Sequence, residues 1–235
     1  MGHALVNRAV CLSAARTQRT AVVSALLAAL LLLAARDSQT AQAAAAGASR
    51  PQPKLEKGKL LVASRDLGDP NFAATVILLV AYGPNGAMGV VINRPSDVKL
   101  SKVLPSIKQL RGRGDVLYIG GPVARDHVLL LVRSAKEPAD ALPVFDDVYA
   151  SSSLTVLRQQ LERKDVKGRH LQAFAGHAGW APGQLDAELA RGDWYVVTAD
   201  ATTLFTTPAT EVWDKLIQRV EGDWVYAPVA QPHTT

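Results

Sequence analysis

Eight polar or glycine residues in four short clusters are the positions of this sequence whose types could bind a ligand. Carboxylate, amide and guanidinium groups could hold an ion or a polar molecule, glycines could expose backbone N–H groups to an anion, and a histidine could act as a general base. Neither Ser64 nor Ser96 lies in a G-x-S-x-G sequence, so a serine hydrolase is not indicated. The candidate ligand-binding residues are Asp69, Asn71, Asn93, Arg94, Gly120, Gly121, His177 and Gln184.

His177 lies in the glycine-rich segment 176–185, which we interpret as a loop following a strand. It could serve as a general base. The alternative, a loop histidine bonded to the backbone, is favoured because the sequence specifies no partner nucleophile. No catalytic constellation is recognisable, so we expect a protein that is not an enzyme.

Arg94 stands between Asn93 and Pro95, in a sequence typical of a turn. Its guanidinium could bind the carboxylate of a ligand. It could equally pair with Asp69 or Asp97 and fix neighbouring loops, and this structural role is the favoured one.

Two glycine-rich segments, 120–122 and 179–183, could admit an anion or nucleotide near backbone N–H groups. Neither matches G-x-x-x-x-G-K-[ST] or G-x-G-x-x-G, and such glycines more often permit tight turns. Gln184 is expected at the start of a helix, where the helix dipole favours an anion.

A metal site would need several ligands at a suitable spacing. Asp66, Asp69 and Asp126 could join His127 or His177, yet no H-E-x-x-H or similar spacing is present. We therefore expect neither a metal nor a cofactor.

The net charge of +5 and the isoelectric point near 9.4 suggest a nucleic-acid partner until the charges are divided by position. Four of the 26 basic residues and one of the 21 acidic residues precede residue 46, which leaves a net charge of +2 for the remainder. Nucleic acid is thus an improbable partner on charge, and the expected partner is an unidentified protein or small molecule. The single cysteine, Cys11, also lies in this first segment.

The first segment is typical of an export signal. Residues 20–35 form an uncharged apolar run that follows Arg8, Arg16 and Arg19, and Ala41-Gln42-Ala43 fits an A-x-A cleavage site. The run is short for a membrane span, which needs about 20 residues. We expect an exported protein, with an uncleaved membrane anchor, an organellar transit sequence and a cytoplasmic protein as alternatives. Any membrane contact is expected only through this segment.

The elements that must position the candidate residues can be read from apolar runs. Strands are predicted over 59–64, 75–81, 87–92, 116–119, 128–132, 170–175 and 194–198. The sequence Gly83-Pro84-Asn85-Gly86 predicts a tight hairpin turn between the second and third of them.

Helical spacing predicts a short or kinked helix over 100–107, where Pro105 limits its length. Longer helices are predicted from Ser152 or Ser153 to about Lys164, over 184–191 and over 211–220. Strands pair locally and helices are interspersed without regular alternation. This pattern predicts an α+β fold, a compact single domain with a mixed, largely antiparallel sheet and interspersed helices.

Composition divides the chain into four parts. Residues 1–45 are the signal peptide or anchor, residues 46–57 a flexible linker, residues 58–221 the domain, and residues 222–235 a loose tail.

Four clusters in order resemble the YqgE/AlgH family of bacterial proteins. They are Asp69-Pro-Asn-Phe72, the segment 86–95, Gly120-Gly-Pro-Val123 and the segment 176–185, and the ending Phe205-Thr-Thr-Pro208 with Trp213 also fits. The resemblance implies a compact α+β fold, no established catalytic activity and an association with transcriptional regulation. The leader and His177, where many relatives have an aromatic residue, depart from the family.

Three functions follow as hypotheses. The favoured one is a non-catalytic binding or regulatory module that is exported or tethered to a membrane. The second is a small-molecule-binding protein or hydrolase-like enzyme that uses the glycine-rich loops. The third is a transcriptional regulator, implied by the resemblance alone.

Overall fold

The computed structural model describes residues 53–163 and 170–225. The predicted leader, residues 46–52 of the linker and the end of the tail lie outside the described residues. Within the described ranges the chain forms ten strands and five α-helices.

Four strands form the first part of the sheet, in the order β10-β1-β2-β3. Their side chains alternate between two cores: Leu60 and Val62 face one, while Leu61 and Ala63 face the other. Both faces are therefore covered, which explains why the sequence shows continuous apolar runs rather than alternation. The strands are β1 (Lys59–Ala63), β2 (Val76–Gly83), β3 (Gly86–Val91) and β10 (Trp194–Thr198).

The hairpin between β2 and β3 confirms the predicted turn. Gly83 pairs with Gly86, so Pro84 and Asn85 form a two-residue connection. Gly86 has a φ of +114°, and a Cβ there would lie 2.2 Å from the carbonyl oxygen of Trp180. Glycine is thus required both by the backbone conformation and by a neighbouring strand.

Strand β9 (Leu171–Trp180) belongs to both parts of the sheet. Its last residues pair with β3, and its first residues pair with β6 on one side and β5 on the other. The interpretation of segment 176–185 as a loop is wrong for its first half, because the strand continues to Trp180. The glycines there permit close contact with neighbouring backbone instead of ending the strand.

The second part of the sheet adds five strands around β9. β4 and β5 lie on one side, and β6, β8 and β7 follow in that order on the other. The sequence did not predict β4, β7 or β8, which are short and partly polar. The strands are β4 (Pro95–Lys99), β5 (Val116–Ile119), β6 (Val123–Arg133), β7 (Leu142–Phe145) and β8 (Val148–Ser151).

The helices pack against the two faces of the sheet. Pro105 limits the predicted helix 100–107 to α1 (Leu100–Val103), followed by a 3-10 turn. Ser153 caps α2 (Leu154–Glu162) as predicted, its Oγ accepting from Thr155 N at 3.2 Å. The others are α3 (Gln184–Ala190), α4 (Ala201–Phe205) and α5 (Ala209–Val225).

Helix α5 is longer than the prediction of 211–220, so the predicted loose tail begins inside it. Its last turn is held by Glu221, whose carboxylate accepts from Arg65 Nε at 3.0 Å. The Arg65 guanidinium also lies 5.2 Å from the centroid of the Trp213 ring, and Trp213 donates to the carbonyl of Ala63. These contacts hold α5 against the end of β1.

The α+β class is confirmed: in the part of the chain that the structure describes, a curled, largely antiparallel sheet carries five α-helices, and β5 with β9 is a parallel pair. Across residues 53–163 and 170–225, no helix has the length and apolarity required to cross a bilayer.

Candidate functional site

A loop between β1 and β2, residues 65–75, lies at the centre of the candidate site, and Asn93 and Arg94 hold it in place. Asn93 Oδ1 accepts from Val76 N at 2.9 Å, and its Nδ2 donates to Ala74 O at 2.9 Å. Ala74 has a φ of 52°, a conformation that is costly for a residue with a Cβ. The side chain of Asn93 therefore stabilises a strained stretch of backbone at the loop's end.

Arg94 completes this clamp by donating to the carbonyls of Asn71 at 2.5 Å and Ala73 at 3.1 Å. The favoured expectation that Arg94 fixes a neighbouring loop thus agrees with the geometry. The expected partners do not: within the described chain, Arg94 makes no ion pair with Asp69 or Asp97. The guanidinium binds carbonyl oxygens instead of carboxylates, because the segment that follows β3 places Arg94 against the backbone of the loop. Burial lowers the pKa of Arg94.

The start of the loop is organised by Asp69. Its Oδ1 accepts from Asn71 N at 2.8 Å, and its carbonyl accepts from Phe72 N at 3.0 Å. This is the local turn that Asp-Pro-Asn sequences favour. Both Asp69 and Asn71 have exposed side chains, whereas Phe72 turns partly inward.

A small depression of ≈20 Å³ brings Asn71, Arg94 and Gly121 together, with Arg125 beside them. The volume is enough for about one water molecule or one small functional group. Three of the eight sequence candidates therefore meet here, although they lie up to fifty residues apart. The β2–β3 hairpin and the pairing of β9 with β5 and β6 bring them together.

Gly120 and Gly121 serve close backbone packing. A Cβ on Gly121 would lie 2.1 Å from the carbonyl carbon of His177, and one on Gly120 would lie 2.3 Å from the oxygen of Gly176. The N–H of Gly120 donates to Ala175 O at 2.8 Å and is not free for an anion. The alternative of an anion bound by the Gly120 N–H therefore has no support, and the favoured structural role of the glycines agrees with the geometry.

His177 lies in β9 opposite Val123 rather than in a loop. Among the described residues its ring has no hydrogen-bond partner, so the expected bond from this histidine to the backbone is not formed by the ring. The Cδ2 and Nε2 atoms lie 3.9 Å from the position of a Cβ on Gly179. The half-buried imidazole thus stands beside Gly179, at the margin of a larger cleft.

This larger feature, here called the Glu188 cleft, has a volume of ≈370 Å³. It lies between the 65–75 loop and helix α3, and its floor is aromatic. Phe72 stacks on Trp180 with ring centroids 6.5 Å apart and meets the edge of Trp194 at 5.9 Å. The lining residues are Leu67, Gly68, Asp69, Phe72, Gly179, Trp180, Gln184, Glu188, Arg191, Asp193 and Trp194.

Glu188 connects the floor of the cleft to its wall. One carboxylate oxygen accepts from the indole N–H groups of Trp180 at 2.8 Å and Trp194 at 2.9 Å. The other accepts from Gln184 Nε2 at 2.9 Å. One carboxylate thus accepts hydrogen bonds from two buried indole N–H groups. These bonds hold the lining of the cleft in place in the absence of a ligand.

The sequence reasoning missed Glu188, Trp180 and Trp194 as site residues. Glu188 stands four residues after Gln184, a spacing that places both on one face of a helix, and this was the available signal. Packing is the role that the tryptophan type by itself indicates, and here it describes the rings but not the N–H groups that bind Glu188.

Gln184 begins α3 as expected, but its surroundings do not favour an anion. Its Oε1 accepts from Ala181 N at 3.1 Å, while its Nε2 is used by Glu188. Asp186 lies in the first turn of the same helix. These acids repel the anion that the helix start was expected to attract.

The charges of the Glu188 cleft are mainly negative. Asp69, Glu188 and Asp193 contribute three carboxylates, and Arg191 contributes the single guanidinium, which donates to Asp193 at 2.6 Å. The described lining includes no serine, threonine, cysteine, histidine or lysine. An aromatic floor with carboxylates around it can bind a cationic group through charge and cation–π attraction.

The possible metal ligands do not assemble into a site. Asp126 and His127 contact each other at 3.1 Å, with both side chains about four-fifths exposed. Over residues 53–163 and 170–225, no three histidine, cysteine or acidic residues lie close enough to hold an ion.

Comparison with known proteins gives consistent matches. The family profile described as AlgH-like (DUF179) matches residues 60–225. A UPF0301 protein of Rhodococcus opacus is 37% identical over 170 residues, covering 72% of this chain and 84% of the relative. A UPF0301 protein of Chlorobaculum tepidum is 30% identical over 172 residues, covering 73% and 90%.

Two solved structures share the fold. The solution structure of the AlgH protein from Pseudomonas aeruginosa matches with a TM-score of 0.60 and 30% identity, covering 78% of this chain and 100% of that one. The crystal structure of protein DIP2367 from Corynebacterium diphtheriae matches with a TM-score of 0.62 and 25% identity, covering 72% and 90%.

Proposed function

The chain belongs to the AlgH-like family, and from that premise we propose that it is a non-catalytic binding module whose ligand enters the Glu188 cleft. The observation that carries the proposal is the carboxylate of Glu188, held by two indole N–H groups and one amide. A rigid wall of this kind loses little entropy when a ligand binds. No nucleophile lines the cleft in the described residues, which favours binding over covalent chemistry.

The proposed ligand carries a cationic group. The cleft has three carboxylates against one guanidinium, and that guanidinium is occupied by Asp193. The partly exposed ring of Phe72 offers a π-face beside Asp69. A small molecule with an ammonium group, or a peptide with a basic side chain, has the chemistry to fit.

Choline and its uncharged isostere 3,3-dimethylbutan-1-ol test this charge preference in one comparison. We expect choline to shift the NMR signals of Gly179 and the Trp180 indole, and the isostere to bind about tenfold more weakly. Equal binding of both compounds, or no binding of choline, would overturn the proposed ligand class.

Asp69→Asn is the matched variant, because an asparagine oxygen still accepts from the backbone of Asn71 while the charge is lost. We expect choline affinity to fall several-fold in D69N and to stay unchanged in Asp97→Asn, an exposed acid on β4. Equal affinities for the two variants would contradict the role of Asp69.

We propose, in addition, that the protein is exported. The support is the basic start, the apolar run over 20–35 and the Ala41-Gln42-Ala43 sequence. Cell fractionation with N-terminal sequencing tests it: a mature N-terminus at Ala44 outside the cytoplasm is the expected result. An intact N-terminus in the membrane fraction would instead indicate an anchor, and one in the cytoplasm would refute export.

A further inference from the structure

The small depression beside the 65–75 loop holds positive charge that nothing in the described chain neutralises. Arg94 and Arg125 both line it, and its other lining residues are Asn71, Val91, Ile119, Gly121 and Pro122, none of them acidic. Within the described residues neither guanidinium forms an ion pair. Like charges that share a depression repel each other, and an anion placed between them would remove that repulsion.

Arg94 keeps free donors despite its role in the loop. A guanidinium has five N–H donors, and Arg94 uses one from Nη1 and one from Nη2 on carbonyls. Three donors remain, and a guanidinium that is already oriented by two bonds is prepared for a planar oxygen pair.

Arg125 is delivered by a distortion of strand β6. Val123 pairs with His177 and Val128 pairs with Ala175, so the intervening residues of β6 form a large bulge. Ala124 in this bulge has a φ of 49°. Bulges redirect side chains and are more frequent near functional sites than elsewhere in sheets. This one brings Arg125 to the depression.

The rim of the depression is apolar. Ile119 is 40% exposed and Val123 is 45% exposed, with Pro122 exposed between them. A ligand whose anionic group enters the depression would therefore lay an apolar part on this rim.

We propose that the depression binds the carboxylate of an apolar ligand or of a peptide C-terminus. The ≈20 Å³ volume suits a single small group. A guanidinium fork can bind either a carboxylate or a phosphate, and the small volume favours the carboxylate because it is planar and smaller. This site is separate from the Glu188 cleft and does not depend on the ligand proposed there.

The test uses acetyl-Val-Leu with a free carboxylate and the same dipeptide as its amide, each titrated into the full chain. We expect the free acid to give saturable NMR shifts at the amides of Ile119 and Gly121, and the amide to give none. The variant Arg125→Gln should weaken the affinity about tenfold, because it removes a charged donor from an exposed side chain. Arg158→Gln, an exposed arginine on helix α2, is the control and should bind as the wild type does.

Two further probes separate the sources of the carboxylate. Octanoate binding as tightly as the dipeptide would assign the site to apolar acids, and binding of the dipeptide alone would assign it to peptide C-termini; either supports the proposal. Equal shifts with acid and amide, equal affinities of R125Q and R158Q, or preferential binding of inorganic phosphate would overturn it.

Discussion

At the scale of single residues, Asn93 has a larger structural role than its polar, half-exposed position suggests. Its amide satisfies the N–H of the buried Val76 and the carbonyl of Ala74, so it closes the 65–75 loop onto the start of β2.

Asn93→Ala should lower the free energy of unfolding by about 1–3 kcal/mol, because a buried N–H is left without a partner. Urea unfolding followed by circular dichroism measures the change. Asn71→Ala is the control, since the described structure gives its exposed side chain no hydrogen bond. Equal stability of the two variants would contradict the clamp.

Gly121 and Gly179 offer a second test, because substitution by alanine places a Cβ in a crowded position at Gly121 and in an uncrowded one at Gly179. A Cβ on Gly121 would overlap the backbone of His177, whereas the nearest atom to a Cβ on Gly179 is 3.9 Å away. Gly121→Ala should therefore cost about 3 kcal/mol or more. Gly179→Ala should be neutral or slightly stabilising. Thermal unfolding compares them, and a stable G121A protein would show that β5 and β9 can separate at this point.

At the scale of elements, helix α3 is attached to the sheet by hydrogen bonds as well as by Leu185, its buried apolar residue. Glu188 binds the indoles of Trp180 on β9 and Trp194 on β10, and Asp186 accepts from Tyr82 of β2 at 2.8 Å. A short helix with a single buried leucine needs these bonds to keep its position.

Glu188→Ala should destabilise the protein by about 2–4 kcal/mol, because two buried indole N–H groups lose their acceptor. Glu188→Gln keeps an acceptor oxygen and should cost less. Urea unfolding gives both values, and tryptophan fluorescence should shift in the folded state of E188A. Identical stability of E188A and of Asp214→Ala, an exposed acid on α5, would refute this attachment.

Tyr195 on β10 gives the fold a dependence on alkaline pH. Burial, with the charges of Glu221 and Asp66, raises the pKa of Tyr195 above its ordinary value. Its contribution to stability is complete below the unfolded-state pKa of about 10 and is lost as pH rises through the folded-state pKa. Wild-type stability should fall more steeply than that of Tyr195→Phe between about pH 9 and pH 11. The same change in the free energy of unfolding with pH in both proteins would contradict this role of Tyr195.

At the scale of the whole molecule, strand β9 joins the two parts of the sheet. It pairs with β3, β5 and β6, whereas β7 is at an edge and exposes Leu142. We expect amide hydrogen exchange to be slowest in Leu171–Ala178 and fastest among the strands in β4 and β7. Protection of β7 equal to that of β9 would contradict this order and would show that the whole sheet opens as one cooperative unit.

The sequence predicted the seven strands that contain an apolar run, whether it is buried over most of its length, as in β1, or only in part, as in β5. β1, β2, β3 and β10 are continuous apolar runs, and the Pro-Asn turn is specified locally. It did not predict β4, whose sequence Pro-Ser-Asp-Val-Lys is polar and exposed, nor the short β7 and β8. Such strands form because neighbouring strands supply hydrogen bonds, and no single segment encodes that.

Only part of the candidate site was predicted, because the rest also depends on contacts between segments that are distant in the sequence. Asp69, Asn71, Asn93 and Arg94 were recognised by type, and the β2–β3 hairpin brings them to one loop. The division of the candidates between a depression and a cleft depends on distant pairings of β9. Glu188 resembles any acid on a helix surface until two tryptophans from different strands are placed against it.

The late position of β9 in the chain also determines the order in which the protein can be made. A ribosome releases residues 59–151, which include eight of the strands, before the strand that joins them has been synthesised. β1 must likewise wait for β10, its antiparallel neighbour. The nascent chain therefore stays incompletely folded until β10, which ends at Thr198, has emerged. Such a delay would suit the export proposed above, because a translocation channel admits only a chain that has not yet folded.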